Sequence, residues 1–213
     1  PERTLMNRIP LGIALGACLA LLGCSNKDAS KGNFKAAIQD YLNTTPALCA
    51  SLPFRDGSTS FKIAKNDGFS RSVLAQANAL AEAGLLKARD VEMPAGFGGK
   101  LRPGIEFELS DEGRKFLSKQ EGLAGGTSLC TGRYEVSEVV NFTEPSEMMG
   151  AKISRVNYRY TIKDAAEWAR RPAVAGAFPQ WQKKAATDDR AETAVVVATN
   201  EGWMHERLFR KGQ

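Results

Sequence analysis

Apolar positions along the chain fall into three kinds of spacing. Phe34, Ile38, Tyr41 and Leu42 recur at i, i+4, i+7 and i+8, which lays them on one face of a helix. Asn33 is placed to cap its start and Pro46 bounds its end near Thr45. Val73, Leu74, Ala77, Leu80 and Ala81 form a second helical stripe, running from Ser70 as cap to Ala83, with Gly84 as the terminating residue. A period of two marks strands instead. Ile105, Phe107 and Leu109 alternate with Glu106 and Glu108, and a short strand is expected at Phe61–Ala64. Tyr134, Val136, Val140 and Phe142 alternate on another strand. Val156, Tyr158, Tyr160 and Ile162 alternate on the next, with Arg155, Asn157, Arg159 and Lys163 on its opposite face.

Between these strands the pattern predicts short helices. Ser110 caps one that carries Phe116 and Leu117, Asp164 caps one through Trp168 that stops at Pro172, and another spans residues 178–186. The segment "TAVVVATNEGWMHERLF" reads as a closing hairpin around Asn200-Glu201-Gly202, with Trp203, His205, Arg207 and Phe209 alternating on its last strand.

The third kind of spacing has no period. Ile9 to Gly23 is an uncharged, mostly apolar run of fifteen residues, preceded by Met6-Asn7-Arg8. A membrane-spanning helix needs about 20. A charged start, a short apolar core and small residues at its end are the marks of an export signal, and Met6 is the expected start. The run ends at Leu21-Leu22-Gly23-Cys24, which resembles the bacterial lipobox. The resemblance implies that the Cys24 thiol takes a diacylglycerol, that the peptide is cut before it, and that palmitate-type chains anchor the protein. Two or more chains hold firmly, at ~0.8 kcal/mol per buried CH2. Ser25, rather than Asp, follows the cysteine, which in Gram-negative lipoproteins favours the outer membrane. The expected location is therefore the outer membrane, facing the periplasm, with the cell surface as the other orientation. Residues 24–32 read as a polar tether behind a leader of residues 1–23.

From Cys24 onward Lys plus Arg number 27 and Asp plus Glu 23, a scattered net +4 that permits anionic partners without demanding them. Of four cysteines, Cys18 leaves with the leader and Cys24 is acylated, so Cys49 and Cys130 remain. Export brings them to an oxidising compartment, and a Cys49–Cys130 disulfide is expected. One histidine and two distant cysteines do not supply a zinc tetrad, and no metal or other cofactor is expected.

The stretch "GLLKARDVEMPAGFGGKLRPGIEFELSDEGRKFL" has a helix end, two strands around a glycine-rich tip, and Ser-Asp-Glu-Gly-Arg. Over Ser70–Lys119 this resembles the back half of a winged helix. The fold then implied is α+β, with a winged-helix-like helical first half over residues 33–120. An antiparallel sheet with short helices follows over residues 121–213, after the turn "EGLAGGT", and the two halves pack as one unit. The resemblance invites a DNA-binding reading, which the residues argue against. The outward face of the second helix offers Gln76, Asn78 and Glu82 with Arg71 as its only base, and phosphate contact needs several. No nucleic-acid partner is expected. The tip, with Phe97, Lys100 and Arg102, reads as a plain structural hairpin or, as a functional element, a loop that touches a protein.

Candidate chemistry is sparse. "GFGGK" lacks the spacing of a phosphate loop. His205 is the sole histidine and reads as a packed strand residue. Asp188 with Asp189, and Glu144 with Glu147, are acidic pairs on expected loops, and a glycan hydrolase needs two carboxylates facing across a cleft. Tyr158, Tyr160, Trp168, Phe178 and Trp181 read as core, with Arg155, Arg159 and Lys163 as the wet face; the other reading is a glycan or protein surface. The function that fits is a lipid-anchored, non-enzymatic binding module contacting an envelope protein or peptidoglycan. The alternatives are an envelope hydrolase using an Asp/Glu pair and an immunity-type inhibitor that inserts the 95–103 loop into a toxin.

Overall fold

The computed structural model describes residues 27–54, 58–68, 70–95, 100–119, 127–148, 150–185 and 190–212. In chain order the first elements are α1 (Lys31–Leu42), β1 (Leu48–Leu52), β2 (Ser60–Ala64), α2 (Arg71–Glu82), β3 (Leu86–Pro94), β4 (Leu101–Leu109), α3 (Asp111–Arg114) and β5 (Leu117–Lys119). There follow β6 (Thr127–Thr131), β7 (Arg133–Phe142), β8 (Ser146–Met148), β9 (Ala151–Lys163), a 3-10 turn (Glu167–Arg170), α4 (Pro172–Ala177), α5 (Pro179–Ala185), β10 (Arg190–Thr199), β11 (Gly202–His205) and α6 (Glu206–Lys211).

Helix α1 is built by its sequence stripe. Phe34, Ala37, Ile38 and Leu42 are buried, and Ser30, rather than Asn33, supplies the cap by accepting the Asn33 amide at 3.2 Å. The helix ends at Leu42, and it starts inside the stretch expected to be tether. Its apolar face lies in the concavity of a long antiparallel sheet of order β11-β10-β9-β7, with β8 pairing on β9. That sheet curls into a half-barrel around the helix. Two register shifts in β7, between Val136 and Glu138 and between Val139 and Asn141, provide extra residues that bend the strand. They also change its phase: Val139 is buried and Val140, expected inside, is 38% exposed. Phe34 anchors the contact edge-on to Phe142 and Trp203, at 4.7 and 4.8 Å between ring centroids. We call α1 with this sheet the base lobe.

Two excursions leave the base at the same end of the sheet. One runs from Ala47 to Gly132. It closes where the Ala47 amide donates to the Gly132 carbonyl at 3.1 Å, beside the pair Leu48–Thr131 and the disulfide Cys49–Cys130. The other runs from Lys163 to Arg190, residues that sit beside Arg133 and Tyr160 in the sheet. Gly132 is held at φ +74°, and a Cβ there would press on Ile162 at 3.1 Å, so the neck needs glycine.

The excursions pack on each other as a head lobe. It contains the sheets β1-β6-β5 and β2-β4-β3. Its core joins Leu80, Leu85, Phe107, Leu109 and Leu129 to Trp168, Val174, Phe178 and Trp181. Helix α2 buries Ala77 and Leu80 on the expected face, and Gln76 ties it to α4 by donating to the Ala177 carbonyl at 3.3 Å. Ser110 accepts the Gly113 amide at 2.9 Å and donates to the Gly84 carbonyl at 2.7 Å. Tyr134 packs against both cores and so marks the seam between the lobes.

The winged-helix-like, helical first half is overturned. Residues 33–120 hold five strands, and the architecture is mostly β, with three antiparallel sheets. The reason is non-local pairing. The apolar face of α1 is taken by β7, β10 and β11, so α1 does not join α2 in a helical layer, and α2 packs on α4 instead. Leu117, expected on a helix, instead pairs with Leu129 in β5–β6, which leaves α3 a single turn. Asp164 sits at φ +55° and binds Arg133 rather than capping a helix, and the chain after His205 turns into α6 rather than continuing as a strand.

Candidate functional site

A recess opens against the β2-β4-β3 sheet. Strand alternation sends Phe107 and Leu109 inward and Glu106 and Glu108 outward. Register then stacks charges across the sheet: Lys62 opposite Glu106 opposite Arg89, and Glu108 opposite Lys87. The Arg89 guanidinium pairs with Glu106, whose side chain is only 13% exposed. One step along, Gly104 lacks a side chain, and the Met93 thioether lies across it, where a Cβ would collide with the sulfur. Beside this row opens a cleft of about 570 Å³, within the usual size of a small-ligand pocket. Pro53, Phe61 and Met93 form its apolar wall, and Ser58, Ser60, Lys62 and Glu106 its polar one. Such a mixture binds a group with an apolar body and a charged or hydrogen-bonding end. Glu106 is the single carboxylate among the described lining residues.

The second candidate region is the seam. All four tyrosines of the chain lie on the concave side of the base. Tyr134 and Tyr160 meet edge-on at 5.3 Å, and Tyr158 and Tyr160 lie 6.1 Å apart. The Tyr134 hydroxyl donates to the Ala47 carbonyl at 3.1 Å and accepts from Lys184 Nζ at 3.4 Å. Burial pushes the Tyr158 phenol above its ordinary range, with Glu192 adding to the effect. Burial also raises Tyr160, although Arg190 opposes it. Both are neutral hydroxyls near pH 7, on residues 6% and 8% exposed. Tyr41 stacks on His205 at 3.9 Å. His205 Nδ1 accepts the Arg207 amide at 3.1 Å and thereby caps α6, while burial lowers its pKa. With Nδ1 committed, this histidine is a neutral structural group rather than a general base.

The sequence-predicted residues are divided between faces. Cys24 and Phe97 lie outside the described residues, as do Asp188 and Asp189. Cys49 and Cys130 are joined, facing each other across β1 and β6 with Cα atoms 4.1 Å apart. Lys100 and Arg102 are exposed at the turn end of the β3–β4 hairpin, next to Leu101, which is 63% exposed. Arg155, Arg159 and Lys163 line the convex face of the base, away from the tyrosines. They are interleaved there with acids and amides. Arg133 binds Asp164 at 2.6 Å and Glu135 at 2.8 Å, and Glu138 sits opposite Arg159. Asn141, Asn157 and Thr193 form a side-chain ladder across three strands, each bond 2.7 Å long. The structure therefore does not bring this row together with Lys100 and Arg102.

The cleft residues Lys62, Met93 and Glu106, and Arg89 paired with Glu106, were not singled out from the sequence. Their signal was the alternation of Lys87 and Arg89 against Glu106 and Glu108, which becomes a charge ladder once the hairpin register is known. Among the described residues no cluster of His, Cys, Asp and Glu is arranged to hold a metal ion, and no helix is long and apolar enough to cross a membrane. No protein-family model, curated protein or solved structure matches the chain.

Proposed function

We propose that the chain is a lipid-anchored envelope protein of the periplasm whose head lobe binds a partner without catalysing a reaction. The observation that carries the reading is the cleft beside the Lys62–Glu106–Arg89 row, at the foot of a hairpin that exposes Leu101 and Arg102. The lipobox-like Leu21-Leu22-Gly23-Cys24 supports the anchoring part of the reading. The partner class is an envelope protein or peptidoglycan. The mixed apolar and polar lining favours a protein segment, because two or three neighbouring side chains can occupy the cleft while backbone groups meet the exposed edge of β3.

The test is site-specific photocrosslinking in intact cells, with the crosslinker at Lys62, at Arg102, or at Arg155 on the convex face. A discrete adduct from Lys62 and Arg102 that is absent from Arg155 is the expected result. No adduct, or the same background from all three, contradicts the reading. Cys24→Ser tests the anchor: the expected product is uncleaved, unlipidated precursor, and normal processing contradicts it.

A further inference from the structure

The chain is fixed to the fold almost from the point where the lipid would be attached. The indole N–H of Trp203, on β11, donates to the carbonyls of both Lys27 and Asp28 at 3.1 Å. Asn33 Nδ2 donates to the same Asp28 carbonyl at 2.9 Å, and Ser30 caps α1 immediately after. Only Ser25 and Asn26 stand between Cys24 and the pinned Lys27. Three Cα–Cα steps reach at most about 11 Å. A lipid on Cys24 therefore leaves the domain no freedom to swing far from the bilayer or to turn over.

We infer that the end of the base lobe around Trp203 seats on the membrane surface, with the tip of the β8–β9 hairpin entering the headgroup region; this rests on the lipoprotein reading above. The register identifies what lies at that end. The pair Ile153–Val197 is the last between β9 and β10, and the β10–β11 turn and the β8–β9 tip each extend two residues beyond it, to Thr199 and Ala151. The tip carries Met148, 57% exposed, a flexible apolar side chain suited to the headgroup boundary. Lys27, Lys31 and Lys152 are offset there by Asp28, Glu147 and Glu201, so tether length and Met148, rather than net charge, set the contact. The opposite end of β9, at Lys163, lies twelve residues from Ala151, about 40 Å at 3.3 Å per residue. That is the end from which both head excursions leave, so the cleft-bearing lobe is held away from the bilayer.

The test uses full-length protein, matured in cells, purified from detergent-solubilised envelopes and reconstituted in phosphatidylethanolamine vesicles. M148C and K163C variants are labelled with an environment-sensitive fluorophore and quenched by headgroup-proximal doxyl lipid. Several-fold stronger quenching at position 148 than at 163 is expected, unchanged when phosphatidylglycerol is added. A flexible spacer of about fifteen residues inserted after Asn26 is expected to abolish the difference. Intact mass reports acylation independently. An acylated protein with equal quenching, or with stronger quenching at 163, overturns the seating alone. A protein not acylated at Cys24 overturns the lipoprotein reading and the seating together.

Discussion

The two lobes solve the same problem, closing small antiparallel sheets, by different means. The base has one long sheet that curls around a helix. The edge of β7 is covered there by a side chain: Gln39 donates from Nε2 to the Tyr134 carbonyl at 2.9 Å and accepts the Val136 amide at 2.8 Å. In effect one glutamine amide stands in for a neighbouring strand. The head has two three-stranded sheets and leaves the edge of β3 open, guarded by Lys87, Arg89, Asp90, Glu92 and Pro94. What secures the head is covalent closure at the neck. Burial around a helix makes a lobe stable by packing alone, whereas a lobe assembled from excursions gains most from a crosslink at its base.

The largest effects separate the two cores. Phe34→Ala in the base and Phe107→Ala in the head each remove a fully buried ring, a loss of about 3–5 kcal/mol. Equilibrium denaturation is expected to show Phe34→Ala lowering the stability of both lobes, because the base holds the ends of both excursions. Phe107→Ala is expected to loosen the head first; equal loss in both lobes would erase the distinction. Next in size is the disulfide. Cys49→Ala with Cys130→Ala opens a loop of sequence separation 81 and is expected to cost about 2–5 kcal/mol, read as a lower thermal midpoint. Gln39→Leu leaves the Tyr134 carbonyl and Val136 amide without their partner, at a cost of about 1–3 kcal/mol. With the β7 edge exposed, the variant is also expected to self-associate on light scattering, which a matched change at exposed Asp40 on the same helix would not cause.

The smallest effect is electrostatic and confined to the base. Burial holds the His205 pKa below its ordinary value. The unfolded chain therefore takes up a proton first, and stability is lost as pH falls from about 6.5 toward the lowered value. His205→Asn keeps a capping side chain and is expected to flatten the slope between native and variant in that window. Parallel slopes would show that His205 contributes nothing to it.

Much of the local structure was legible because it depends on near neighbours. The stripes at Phe34, Ile38 and Leu42 and at Ala77 and Leu80 face inward as their spacing requires, and Phe107 and Leu109 alternate with Glu106 and Glu108. Errors arose wherever a distant partner decided. Val140 lost its inward position to bulges that alternation cannot encode. Leu117 left a helix for a pairing with Leu129. One departure was local: His205 capped α6 through the Arg207 amide two residues on, ending the expected strand alternation of His205, Arg207 and Phe209. The cleft was hidden by non-local pairing, since it exists only where three strands bring Lys62, Glu106 and Arg89 into one row. The basic row at Arg155, Arg159 and Lys163 was visible, but the acids and amides interleaved with it come from β7 and β10 and from Asp164.

The most direct measurement of the two-lobe account is native-state hydrogen exchange, resolved by peptide, with the Cys49–Cys130 bond intact and then reduced. The account predicts that reduction accelerates exchange in residues 48–119 and 164–181 while 133–163 and 190–205 keep their protection. Acceleration spread evenly over both sets, or concentrated in the long sheet, would contradict it.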